Sequence, residues 1–102
     1  MTENDLLTGV LDIARLTGWR TVHFRPGRTA HGWRTSVQGD GKGFLDVLAL
    51  RGDRIIVAEL KSARGRLTAE QGDWLAAWRA TGADVHIWTP ADYPDAIAAV
   101  LR

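Results

Sequence analysis

Residues 43–61 read GFLDVLALRGDRIIVAELK. Two apolar runs, residues 44–50 and 54–60, flank Arg51, Gly52 and Asp53, so the stretch predicts a β-hairpin inside a sheet covered on both faces. Both strands carry charge where core belongs: Asp46 interrupts the first, and Glu59 and Lys61 end the second with one residue between them. Strand side chains alternate, so Glu59 and Lys61 share a face with Ile55 and Val57, while Ile56, Ala58 and Leu60 take the other. Hairpin pairing brings Asp46 alongside. Two carboxylates and an ammonium then converge at one end of an apolar platform.

Buried charges are costly unless they are paired or hold a metal. Two hard carboxylate oxygens side by side suit Mg²⁺ or Mn²⁺, which needs only one or two carboxylates and keeps waters for substrate. The alternative is a solvated Glu59–Lys61 ion pair at a strand end. The longer pattern of Gly43, Asp46, Glu59, Leu60, Lys61, Gly65, Leu67 and Gln71 resembles the PD-(D/E)XK nuclease superfamily, and within it the small VRR-NUC family of phage and bacterial nucleases. Leu45-Asp46 stands where that family has Pro-Asp, a departure that spares the metal-binding aspartate. The resemblance implies a restriction-endonuclease-like αβββαβα core with a four-stranded mixed sheet flanked by helices. It implies a catalytic set of Asp46, Glu59, Lys61 and Gln71, with Mg²⁺ or Mn²⁺ held by Asp46, Glu59 and the Leu60 backbone carbonyl.

At 102 residues, with 45% hydrophobic content and five tryptophans, the chain fits one domain with a modest core. It has no cysteine, which excludes a disulfide scaffold or thiolate zinc site and is compatible with a reducing cytoplasm. The opening MTENDLLTG lacks the charge and apolar run of a signal peptide, and no stretch has the length of a membrane span. A cytoplasmic location in a bacterial or phage-infected cell is expected. A net charge of +1 does not announce a nucleic-acid partner, so any basic surface must come from local segregation.

Thr2 and Asp5 form a capping-box pattern ahead of a helix over residues 3–17, with Gly18 as its stop. Glu3 sits in the first turn, where a carboxylate also favours the helix dipole; relatives of the resembling family carry a glutamate on this helix that reaches the metal or its water, so Glu3 is a further metal-ligand candidate. Residues 19–24 predict a strand. Residues 25–42, with four glycines and a proline, predict a long loop. Arg25, Arg28, Arg34 and Lys42 in that run, interleaved with His31 and Trp33, suit phosphate contact and base stacking. His23 and Arg25 flank Phe24 on one strand face, His23 as a packed or phosphate-contacting residue more than a catalytic one.

Arg64 and Arg66 add a second basic patch beside Lys61. Thr68 opens a helix stopped by Gly82, with Trp74, Leu75 and Trp78 on its buried stripe. Gln71 lies on that stripe and is either the reciprocal helix cap or a hydrogen-bonding group that supports the site, uses that are not easily combined, and the second is favoured. Residues 84–89 predict the fourth strand. Thr89-Pro90 and Asp92 start a last helix carrying Tyr93, Ile97, Val100 and Leu101.

The expected function is a metal-dependent DNA endonuclease acting on phosphodiester bonds. The resemblance points to a homodimer on branched DNA such as Holliday junctions. The alternatives are a non-catalytic nucleic-acid-binding module on the same fold and a monomeric flap or single-strand nuclease.

Overall fold

The structure is a computed structural model that describes residues 1–24, 27–29, 32–34 and 39–102. Helix α1 spans Glu3–Leu16. Its start is fixed by a reciprocal cap: the Asp5 amide donates to Thr2 Oγ1 at 3.0 Å, and the Thr2 amide donates to the Asp5 carboxylate at 2.9 Å. One face of the helix, with Leu6, Leu7, Val10 and Ala14, is buried, as the 3–4 residue apolar spacing requires. Strand β1 (Arg20–His23) follows.

Within the run expected to be one long loop, Gly27–Thr29 (β2) and Gly32–Arg34 (β3) pair as a small antiparallel hairpin. Short polar strands without apolar alternation carry no periodic signal to separate them from loop. Strand β4 is Val47–Arg51 and β5 is Arg54–Leu60. The turn between them is therefore two residues, with Arg51 paired to Arg54 rather than in the turn. Gly52 has φ 60°, and a positive φ at the first of two turn positions is what a type II′ hairpin needs. Helix α2 spans Ala69–Ala80 and strand β6 spans Asp84–Trp88.

The main sheet has the order β1-β4-β5-β6. The first three strands are antiparallel neighbours, and β6 runs parallel to β5, which is possible because α2 makes the crossover. The chain is thus α/β, a four-stranded mixed sheet flanked by helices, in the helix and strand order expected for that sheet. On one face, Val47, Ala49, Ile56, Ala58 and Leu60 pack with α1 and with Trp88, Ile97 and Leu101. On the other, Val57 and Leu45 meet Leu75 of α2, with Phe24, Phe44, Leu48, Trp78 and Val85 around them. Each fully buried Leu or Ile here contributes about 1.5–3 kcal/mol.

The last helix is interrupted. A 3₁₀ turn at Pro90–Asp92 precedes α3 (Asp95–Val100), and Tyr93 between them is extended at φ −95°, ψ 135°. Pro94 is the cause, because its ring excludes the preceding residue from the helical region. At the sheet's far end, the Arg51 and Arg54 guanidiniums lie 4.5 and 4.8 Å from the Trp19 ring centre. Trp19 Nε1 donates to the Leu101 carbonyl at 2.8 Å and Arg54 Nη2 to that of Val100 at 3.0 Å. These contacts tie down the C-terminal segment and leave the opposite sheet end for chemistry.

Candidate active site

The register Val47↔Ala58 sets Asp46 and Glu59 side by side just past the last paired residues. Asp46 lies outside β4, yet its backbone still continues the ladder: its amide donates to the Ala58 carbonyl at 3.3 Å, and its carbonyl accepts from the Phe24 amide at 3.0 Å. Its carboxylate Oδ2 accepts from the Leu60 amide at 2.8 Å. In a strand, the N–H and C=O of one residue leave on the same side. The Leu60 carbonyl is therefore directed towards the Asp46 side, where pairing with β4 has ended.

Glu59 is 1% exposed and is the one buried charged residue among the described residues. Its Oε1 accepts from Gln71 Nε2 at 2.8 Å and lies 3.5 Å from Lys61 Nζ. Its Oε2 is buried with no hydrogen-bond partner. Burial pushes the Glu59 carboxyl up from 4.5 to about 8; the Asp46 side chain, which can hydrogen-bond only the protonated form of Glu59 and repels the ionised one, pushes the same way, and Lys61 opposes them. Near neutral pH the Glu59 carboxyl therefore holds a proton that a cation could replace.

Gln71 performs both uses that looked exclusive in the sequence. Its Oε1 accepts from the Thr68 amide at 3.0 Å, closing the α2 cap, while Nε2 donates to Glu59. A carboxamide has an acceptor end and a donor end, and here each has its own task. The helix start is thus keyed to the orientation of Glu59.

Gly43 makes this approach possible. At φ 79° a Cβ there would stand 2.6 Å from the Glu70 carbonyl carbon and 2.7 Å from the Gln71 nitrogen. Gly43→Ala is expected to cost about 2–4 kcal/mol, from left-handed backbone strain plus overpacking against the first turn of α2. Chemical denaturation measures it, and a loss under about 0.5 kcal/mol would show that the contact yields freely.

A cleft of about 290 Å³ opens beside Asp46, lined by Glu3, Asn4 and Leu7 of α1, by His23 and Phe24, and by Leu60. Glu59 does not line it, so Asp46 is the residue shared by the cleft and the buried polar cluster. Glu3 reaches the cleft, but among the described residues no three His, Cys, Asp or Glu side chains come together closely enough to hold a metal. Glu3 is therefore not gathered into a ligand cluster with Asp46 and Glu59. Two carboxylates and a backbone carbonyl remain as hard oxygen donors, a set that suits Mg²⁺ or Mn²⁺ with water completing the shell. The unpartnered Glu59 Oε2 is the buried atom such an ion would satisfy.

Of the basic residues expected at phosphate, Arg64 and Arg66 are exposed in the segment after Lys61. Lys42 is exposed too, but its Nζ lies 3.2 Å from the Glu70 carboxylate, an ion pair that competes with any phosphate contact. Arg28 and Arg34 fall in the small hairpin, in the register Arg28↔Trp33 and Gly27↔Arg34. Arg25 and His31 lie outside the described residues. Asn4 was not singled out in the sequence, and His23 only weakly. No local pattern marks either, because both join the cleft through the packing of α1 and the β1–β4 register.

No protein-family model and no curated protein sequence matches the chain. Among solved structures the chain is similar to Hjc, a Holliday junction resolvase from the archaeal hyperthermophile Archaeoglobus fulgidus, with 21% sequence identity and a TM-score of 0.46; the match covers 86% of this chain and 65% of that one. This chain thus spans slightly less than two thirds of that structure's length.

Proposed function

We propose that the protein is a metal-dependent DNA endonuclease that hydrolyses phosphodiester bonds at the Asp46–Glu59–Lys61–Gln71 cluster. The observation that carries this reading is a fully buried Glu59 with one unpartnered oxygen, packed beside Asp46 and held by Lys61 and Gln71. A carboxylate pair in this state has no stabilising role of its own, because burying it costs free energy that an apolar pair would not. Asp46, Glu59 and the Leu60 carbonyl would hold Mg²⁺ or Mn²⁺, which when bound polarises the scissile phosphate and lowers the pKa of a bound water.

The chain's own residues do the rest. Gln71 fixes the Glu59 carboxylate. Lys61, with its side chain only 14% exposed, sets a positive charge where it offsets charge developing on the phosphate. Arg64 and Arg66, with Arg25, Arg28, Arg34 and Lys42, supply sequence-independent attraction to the backbone. One such site cuts one strand per encounter, so paired cuts in a branched substrate such as a Holliday junction call for a two-fold dimer.

The test is incubation with labelled duplex, flap, single-stranded and four-way-junction DNA, each with Mg²⁺, Mn²⁺ or chelator, alongside light scattering. Cleavage that requires the metal is expected, with the junction preferred by a dimer. Absence of cleavage on every substrate would overturn the nuclease reading. A monomer that cuts flaps in preference to junctions would overturn the dimer and junction parts alone.

A further inference from the structure

Lys61 follows the last residue of β5, where a long flexible side chain ordinarily trails into water, yet its side chain is only 14% exposed. Lysine has as much rotamer freedom to lose as any residue, so a stem held this way needs something lying against it. The backbone is secured first, by the Lys61 amide donating to the Trp88 carbonyl at 2.9 Å. The chain then turns back at once. The Gly65 amide donates to the Ser62 carbonyl at 3.0 Å and closes a turn over residues 62–65. A Cβ at Gly65 would stand 3.3 Å from Lys61 Cδ, 3.1 Å from Ser62 Oγ and 3.3 Å from the Ser62 nitrogen, each closer than ordinary van der Waals contact.

The Gly65 backbone is not left-handed, so it is the space and not the conformation that calls for glycine here. Of the three neighbours, the Ser62 nitrogen belongs to the turn itself, which leaves Lys61 Cδ and Ser62 Oγ as the atoms free to yield. Lys61 Nζ lies 3.5 Å from Glu59 Oε1, and a shift of the stem carries the ammonium with it. We infer that Gly65 is a positioning residue, which seats the turn on the Lys61 stem and so holds the ammonium at the Asp46–Glu59 cluster. Arg64 in the turn and Arg66 just after it are exposed, which places the proposed phosphate contacts on the same piece of backbone. The assignment rests on the nuclease reading above.

Lys42 and Lys61 are the only lysines in the chain, and Lys42, with a side chain 84% exposed, serves as an internal reference for amine labelling. With acetic anhydride and peptide mass spectrometry, the wild type should be modified at Lys42 well before Lys61. Gly65→Ala is expected to speed the labelling of Lys61 and leave that of Lys42 unchanged, and Gly65→Val to speed it further. Both variants should melt like the wild type. A misplacement of about 1 Å can cost on the order of 10²-fold, so the few tenths of an ångström that a methyl demands should lower kcat about tenfold in Gly65→Ala with KM unchanged. Gly65→Val should lose more. Ser62→Ala, which removes the other side-chain neighbour, should cut and label like the wild type.

Unchanged labelling of Lys61 in Gly65→Val would overturn the inference, because the turn would then not seat the stem. Faster labelling with undiminished kcat would overturn it too, by showing that the seating does not serve turnover; both results leave the nuclease reading intact. A loss in Ser62→Ala equal to that in Gly65→Ala would assign the effect to the hydroxyl and not to Lys61. A wild-type protein that cuts no DNA would remove the nuclease reading and the catalytic part of this inference with it, while the labelling still decides whether Gly65 seats Lys61.

Discussion

Glu59→Gln is expected to lower metal-dependent cleavage by 10³-fold or more while raising the melting temperature of the metal-free protein. The substitution keeps shape and one contact, since a glutamine oxygen can accept from Gln71 Nε2 as Glu59 Oε1 does at 2.8 Å. Its amide nitrogen replaces Oε2, the atom with no partner, and can donate to the neighbouring Asp46 carboxylate. A buried charge disappears and an orphan acceptor becomes a satisfied donor. At pH 8 the gain should be about 1–3 kcal/mol, which is several degrees for a domain of this size. An amide nitrogen does not ligate Mg²⁺, so the same change that relieves the fold disables the site.

Asp46→Asn should lose cleavage equally, and the double mutant should be no worse than either single, because the two carboxylates act as one unit. Cleavage within tenfold of wild type in Glu59→Gln would remove Glu59 from the site. A lower melting temperature would show that the carboxylate is a net stabilising partner of Lys61.

Much of this site was legible in the sequence because it rests on the shortest-range regularity a chain has. Strand alternation alone put Glu59 and Lys61 on the Val57 face and away from Leu60, and the structure packs Val57 against α2 and Leu60 against α1. Asp46 followed from hairpin register, which a short turn constrains. What stayed hidden depends on distances between elements. That Gln71 could both cap α2 and hold Glu59 needs the helix start to stand within one side chain of the end of β5. The pairing of Lys42 with Glu70 likewise joins residues that no local pattern relates. The interrupted last helix is a different matter: Tyr93-Pro94 was visible in the sequence, and the restriction proline places on its predecessor predicts the break that periodicity alone ran through.

The metal-free protein should lose stability as pH rises from 5 to 8, and saturating Mg²⁺ should reduce or abolish that loss. Glu59 is the reason. Its folded carboxyl titrates near 8 against an ordinary 4.5, so between those values the folded state holds a proton that the unfolded state has released. Stability falls with pH wherever the native state binds more protons, so the decline begins near 4.5 and levels off above about 8. Its full size is on the order of a few kcal/mol. The other shifted carboxyls act elsewhere on the pH scale. Asp5 is held low by hydrogen bonds from Thr2, and Glu70 by a backbone hydrogen bond and then by Lys42. Their contributions are present above the unfolded carboxylate range and are lost only as pH falls below it. The comparison that isolates Glu59 is wild type against Glu59→Gln in chelator, by urea denaturation at pH 5, 6, 7 and 8. The wild-type curve should fall relative to the variant. Mg²⁺ displaces the Glu59 proton and gives the Glu59 oxygen a partner, so it should lift the wild-type curve most at pH 8, where the fewest protons need be expelled, and leave the variant unmoved. Parallel curves in chelator would show that Glu59 is ionised in the folded protein at neutral pH, and an equal Mg²⁺ effect on both proteins would place the ion elsewhere.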